Sequence, residues 1–212
     1  MREAVIVSTA RTPIGKAHRG AFNATPSPTL AGHSIAHAVK RAGIEGAEVD
    51  DVVFGAALQQ GVQGGNIARL ALLRAGLPVS VAGQSMDRQC ASGLMAIATA
   101  AKQIIVDGMQ ICVGGGVDSI SMIMNARMNN GADPELVAMH PAIHMPMLQT
   151  AEIVAKRYNI SRDRQDEYSF ESQMRTAAAQ QAGKFADEIV PLPSKMAMTN
   201  KATKEVTYHD IT

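Results

Sequence analysis

Along residues 1–120, short apolar runs alternate with longer stretches of helical period. Ala4 to Ser8 is a β-rich apolar run ended by Pro13 and Gly15, which predicts a buried strand and a turn. Residues 18–28 hold two prolines and no period, so they read as loop. From Thr29 onward Leu30, Ile35, Ala38, Val39 and Ala42 fall near one helical face, and Gly43 closes it. Asp51 to Ala57 reads as a second strand, "QGVQGGN" as a Gly-rich turn, and Ile67 to Ala75 as a second helix stopped by Gly76 and Pro78. Val79 to Asp87 is extended. In Ala91 to Val106, Leu94, Ile97, Ala98, Ala101, Ile104 and Ile105 recur at threes and fours. This helix is small and apolar all round, which predicts burial. "QICVGGGVDS" follows as a fourth strand. The alternation predicts a parallel α/β sheet with helices on both faces.

The pattern changes near Ser121. Residues 121–148 are rich in Met, Asn and Pro, with little period. Thr150 is a candidate cap for one helix, and Ser161 for another that runs to Gly183. "FADEIVPLP" reads as a short strand. The tail from Ser194 is polar and shows no closing element, so the chain is expected to end inside a subdomain. The expected division is therefore residues 1–120 and residues 121–212.

Composition narrows the function. Hydrophobic residues make up 46% of the 212, aromatics only 3%, and there is no Trp. That favours packed helices and buried strands over an aromatic binding surface. A net charge of +1 gives no reason to expect nucleic acid or an acidic membrane as partner. No apolar run is read as approaching the roughly 20 residues of a membrane span, and the start turns polar too soon for a signal peptide. Two cysteines, Cys90 and Cys112, make no disulfide framework, so a cytoplasmic setting is expected.

Cys90 carries the chemical question. It lies in "MDRQCASGLMAI", where a strand ends and a helix begins. Unpaired N–H groups at a helix start favour a thiolate, and Ala91, Ser92 and Gly93 leave room for a bulky substrate. From position alone, a packed core thiol remains the commoner reading of a single cysteine. Other constellations are weaker. His33 and His37 lie four apart with no third ligand nearby, so a half-buried pair is preferred to a metal site. "QGVQGGN" is not GxGxxG, and no P-loop Lys-Ser/Thr follows a glycine run. The Met-rich stretch from Met122 to Met147 suits either an acyl channel or ordinary packing.

The wording of several segments adds a resemblance. "DRQCASGLMAIATAAKQI" resembles the nucleophile segment of the thiolases, the acetyl-CoA acetyltransferases and 3-ketoacyl-CoA thiolases of fatty acid metabolism. "STARTPIGKAHRGAF", "DDVVFGAALQQGVQGGNIARLALLRAGLP", "GGGVDSIS", "QTAEIVAKRYNISRDRQDEYSFESQ" and "GKFADEIVPL" resemble other family segments in the same order. The resemblance implies a thiolase-like α/β fold: an N-terminal doubly wound βαβαβ half plus part of an inserted loop domain. It implies Cys90 as the nucleophile, attacking an acyl-CoA to give an acyl-cysteine, with its own N–H as one oxyanion donor. The reaction would be reversible Claisen condensation or thiolytic cleavage of a 3-ketoacyl-CoA. Coenzyme A and acetyl-CoA would be substrates, with no bound cofactor and no metal. A homodimer or homotetramer is implied.

The departures matter too. The family's Gly-His-Pro, Cys-x-Gly-Gly-Gly and Asn-Glu-Ala-Phe motifs belong to its second half and have no counterpart in place here. "CVGGG" aligns with a strand, so Cys112 reads as structural, and His140-Pro141 lacks the preceding Gly. Asp118 stands where the exit motif usually has Glu. Met147 matches a position that packs on the pantetheine arm, but Pro146 stands where the biosynthetic subtype has His. Two other readings stay open: a ketoacyl-synthase-type condensing enzyme, against which "STARTPIG" and "TAEIVAKRY" argue, and a non-catalytic piece that assembles with a separate C-terminal half.

Overall fold

The computed structural model describes residues 2–125, 127–128 and 131–212. Its contacts divide the chain into two compact units, residues 1–128 with 188–212, and residues 129–187.

The first unit is built on a parallel sheet. Helix α1 spans Ser27–Ala42, β1 Asp51–Gly55, α2 Ile67–Arg74, β2 Ala82–Met86, α3 Ser92–Lys102 and β3 Cys112–Gly116. The strand order is β2-β1-β3, with Asp51 opposite Ala82 on one side and Cys112 on the other. Every residue of β1 is buried, as expected of a parallel strand covered on both faces. Its side chains alternate between those faces. Val52 and Phe54 join the cluster of Ala31, Ile35, Ala68, Ala71 and Leu72 from α1 and α2. Val53 meets Ala96 and Ala100 of α3. Helices therefore cover both faces, as the apolar pattern implied.

Glycine sets how closely α3 approaches. A Cβ on Gly114 would lie 2.8 Å from the Ile97 Cα, and one on Gly55 would land on the Ser92 carbonyl. Backbone therefore packs on backbone along β1 and β3. Beyond Lys102 the helix widens into a π turn, Gln103–Asp107, ended by Gly108 at φ 82. Gln103 Nε2 donates to Asp51 Oδ2 at 2.7 Å there.

Several expectations are corrected. Ala4 to Ser8 forms no strand: Val5, Ile6 and Val7 are exposed, and Arg11–Ile189 is an isolated bridge nearby. A β-rich run becomes a strand only with a ladder partner. Helix α3 is not buried all round. Ser92, Ala96 and Ala100 are, but Leu94 is 74% exposed. By length and composition alone, Gln89–Asp107 also qualifies as a bilayer span, contrary to the reading that no run comes close. In this fold the same span rests on the sheet through Ala96 and Ala100. "FADEIVPLP" forms no extended strand, only an isolated bridge from Ile189 to Arg11. The polar tail is structured: β4 (Ser194–Thr199) and β5 (Val206–Ile211) pair antiparallel. Asn23 holds this hairpin in the first unit, accepting from Ala197 N at 2.8 Å and donating to its carbonyl at 2.8 Å. Residues 188–212 thus lie by contacts with the first unit.

The connecting helix α4 (Ile120–Ile123) belongs to the first unit. The second unit contains α5 (Pro134–Met139), α6 (Met147–Arg157) and α7 (Arg162–Gln181). Ser161 caps α7 as expected, accepting from Arg164 N at 3.2 Å. Thr150 does not cap α6. The helix starts three residues earlier, after Pro146, whose fixed φ suits the N-cap position it occupies.

Two predictions follow from this packing. Gly114→Ala should lower stability by about 1–3 kcal/mol in urea unfolding, because the new methyl meets backbone that cannot swing aside. Gly93→Ala, whose Cβ meets nothing nearer than 3.9 Å, should be close to neutral. The second concerns Cys112, whose thiol is pushed up from 9.0 to about 11, first by burial and then by Asp51 and Asp50. The unfolded thiol ionises near 9.0 while the folded one keeps its proton to about 11, so this group's contribution to stability falls as pH rises through that window. Thermal melts across that range should decline less steeply for Cys112→Ala than for the parent chain.

Candidate active site

Cys90 is a free, exposed thiol in the turn between β2 and α3. The turn is built by its own hydrogen bonds. Gln89 N donates to Asp87 Oδ1 at 2.7 Å. The buried Ser92 hydroxyl accepts from Arg88 N at 2.9 Å and donates to the Gln89 carbonyl at 2.6 Å. Gln89 itself sits at φ 50. Holding a non-glycine residue in that region costs of order 1–3 kcal/mol. The clasp around it therefore fixes a conformation the chain would not choose, and Cys90 follows immediately. Ala91 is the N-cap of α3 and supplies no side-chain bond, so Cys90 precedes an uncapped helix start. A thiol displayed there, beside small residues, is open to an electrophile.

The second cysteine is different. Cys112 opens β3, half-buried, with its sulfur 3.6 Å from the Met109 sulfur. Its raised ionisation keeps it a thiol at neutral pH. The structure separates one displayed cysteine from one packed cysteine, in line with the sequence reading of Cys112 as structural.

Asp118 does not stand free. Its carboxylate accepts from Gln63 Nε2 at 2.6 Å and from Ala57 N at 3.2 Å. Gln63 was missed by sequence reasoning, and it is fully buried. Its Oε1 accepts from Ser27 Oγ at 2.7 Å and Ser119 N at 3.0 Å, and its Nε2 also donates to the Leu58 carbonyl at 3.0 Å. One side chain thus ties the start of α1, the loop after β1 and the exit from β3. Apart from Leu58, five residues away, its partners lie 36 to 56 residues away, and only its place in a Gly-rich loop gave any signal. That loop is held by left-handed Gly61 and Gly65 and by Asn66, which caps α2 and donates to the Gly83 carbonyl at 2.7 Å.

The remaining candidates are placed as follows. The His33 and His37 rings touch, with centroids 4.5 Å apart. His37 is lowered from its ordinary value, first by burial and then by His33, Lys40 and Arg41. No group of three metal-ligating side chains occurs among the described residues. Met147, the first residue of α6, belongs to the second unit and is 72% exposed. His140 lies just past α5 in that unit. The Met122–Met147 stretch runs through both units, and Ala126, Asn129 and Asn130 within it lie outside the described residues.

Comparison with known proteins fits this arrangement. A family model described as thiolase, N-terminal domain, matches residues 4–211. The chain is 39% identical over 194 residues to a 3-ketoacyl-CoA thiolase of Bacillus subtilis (strain 168), covering 91% of this chain and 49% of that protein. It is 36% identical over 208 residues to an acetyl-CoA acetyltransferase of Rhizobium meliloti (strain 1021), covering 90% and 51%. The crystal structure of the Bacillus anthracis acetyl-CoA acetyltransferase superposes with a TM-score of 0.77 at 32% identity, over 99% of this chain and 54% of that one. The chain thus spans about half the length of the curated relatives it matches. It belongs to the thiolase family and corresponds to the N-terminal half of those enzymes.

Proposed function

We propose that this chain carries the acyl-accepting half of a thiolase, with Cys90 as the nucleophile. The Cys90 sulfur attacks the carbonyl carbon of an acyl-CoA. The carbon–sulfur bond to CoA breaks, the proton of Cys90 leaves with the CoA thiol, and an acyl-cysteine remains. One thioester replaces another, so the step is close to balanced in energy. The complete reaction would be Claisen condensation with acetyl-CoA, or its reverse, thiolysis of a 3-ketoacyl-CoA, as in fatty acid metabolism and β-oxidation. CoA is a substrate in this reading and not a resident cofactor. The groups that move protons would come from the part of the relatives that this chain does not match. A cytoplasmic setting, which keeps Cys90 reduced, and assembly as a homodimer or homotetramer belong to the same proposal. So does Met147 as a contact for the pantetheine arm.

The observation that supports it most is the display of Cys90 by the strained Gln89 turn ahead of α3. The test is intact mass after incubation with acetyl-CoA, followed by peptide mapping. Acetyl should appear on Cys90 and be absent from Cys90→Ala, with little or no acetoacetyl-CoA released by the 212-residue chain. Acetyl on Cys112, or an adduct that survives Cys90→Ala, contradicts the assignment. No adduct at all contradicts an acyl-accepting site in this chain by itself.

A further inference from the structure

Beneath the π turn that ends α3, the apolar layer between helix and sheet gives way to polar atoms without partners. Asp51, the first residue of β1, is only 6% exposed. Its Oδ2 accepts from Gln103 Nε2, but its Oδ1 is buried with no hydrogen-bond partner, and so is Gln103 Oε1. Among the described residues no Lys, Arg or His forms an ion pair with Asp51. A buried carboxylate with no counter-charge and an incomplete set of hydrogen bonds is costly.

Two sulfurs lie at the same end of the sheet. Cys112 is the register partner of Asp51, and paired residues of adjacent strands project to one face. That face is the one under α3, because Cys112 packs against the cluster of Val53, Ala96 and Ala100. The main chain of Asp51 also hydrogen-bonds to the Cys112 sulfur, and Asp51 and Asp50 both act on it through their charge. The Met109 sulfur stands 3.6 Å from that of Cys112. Two metal–sulfur bonds of about 2.3 Å span such a separation at an angle of about 100°, close to tetrahedral. Asp51 and Cys112 fall short of three His, Cys, Asp or Glu side chains, and the thioether and the Gln103 amide oxygen make up the number.

We infer that Asp51, Cys112, Met109 and Gln103 form a binding site for a divalent thiophilic cation of the zinc type. Binding sends the Cys112 proton to solvent. The thiolate and the carboxylate then balance the two positive charges of the ion. Mg2+ and Ca2+ take oxygen ligands, and Cu+ would leave one of the two negative charges unbalanced. The ion would fasten the starts of β1 and β3 to the turn after α3. The site lies at the opposite end of α3 from Cys90, so it stands or falls separately from acyl transfer.

The test uses the 212-residue chain carrying Cys90→Ala, which removes the exposed thiol as a competing ligand. Native mass spectrometry with Zn2+, and with Cd2+ as a softer probe, should show one ion per chain. The melting temperature should rise with the concentration of either ion. Added to this background, Cys112→Ala and Asp51→Asn should each weaken binding by about tenfold or more, and Met109→Leu by less. Melts without metal report whether each variant folds. Cys112→Ala keeps a small apolar residue at a half-buried position, so it decides the question if Asp51→Asn does not fold. Three results would each overturn the inference: no bound ion on the Cys90→Ala chain, binding left at full strength by Cys112→Ala or by a folded Asp51→Asn, or Mg2+ bound as tightly as Zn2+.

Discussion

The structure depends on the close seating of α3 on β1 and β3. Gly55, Gly114 and Gly116 remove the side chains that would hold the helix off the sheet. Backbone contact replaces the usual layer of interdigitated side chains. Only Ser92, Ala96 and Ala100 of the helix are buried, all small enough for that separation. Val53 meets Ala96 and Ala100 across the interface, and Gln103 fastens the far end to Asp51. Move the helix outward by one methyl and every residue at its N-terminus moves with it.

Cys90 is what that seating displays. β2 delivers the chain to the rim of the sheet and α3 takes it back. The turn between them is tight enough to force Gln89 into left-handed backbone. Ser92 does two things at once: buried under the helix, it also closes the turn through Arg88 and Gln89. The packing that places the helix thereby places the thiol. Cys112 shows the contrast. It lies on the same sheet, but burial and the carboxylates of Asp51 and Asp50 disfavour its ionised form. Position, not residue type, separates the two cysteines.

Much of this was legible in the sequence. The strands β1 and β3 and the helices α1 and α2 are written as apolar runs and periods punctuated by Gly43, Gly76 and Pro78, and β2 falls within the extended Val79 to Asp87. The segment around Cys90 and its companions identified the family. What stayed illegible depends on distant contacts. Nothing in Val5-Ile6-Val7 says that it forms no strand here, and nothing in the period of α3 says that Leu94 stays exposed. The β4–β5 hairpin was hidden because its strands are mostly polar and exposed. Its turn rests on Asn200 accepting from Ala202 N and Thr203 N, and on left-handed Lys204. Gln63 was invisible for the same reason: its partners come from three separate parts of the chain.

The central claim is that the fold displays Cys90 and half-buries Cys112. Site-resolved alkylation of the native chain with iodoacetamide near pH 8 tests it directly, with the modified peptides counted over time. The account predicts that Cys90 is carboxamidomethylated first, and that half-buried Cys112, with its raised ionisation, follows much more slowly in the folded chain. Equal labelling of the two thiols, or faster labelling of Cys112, would contradict it.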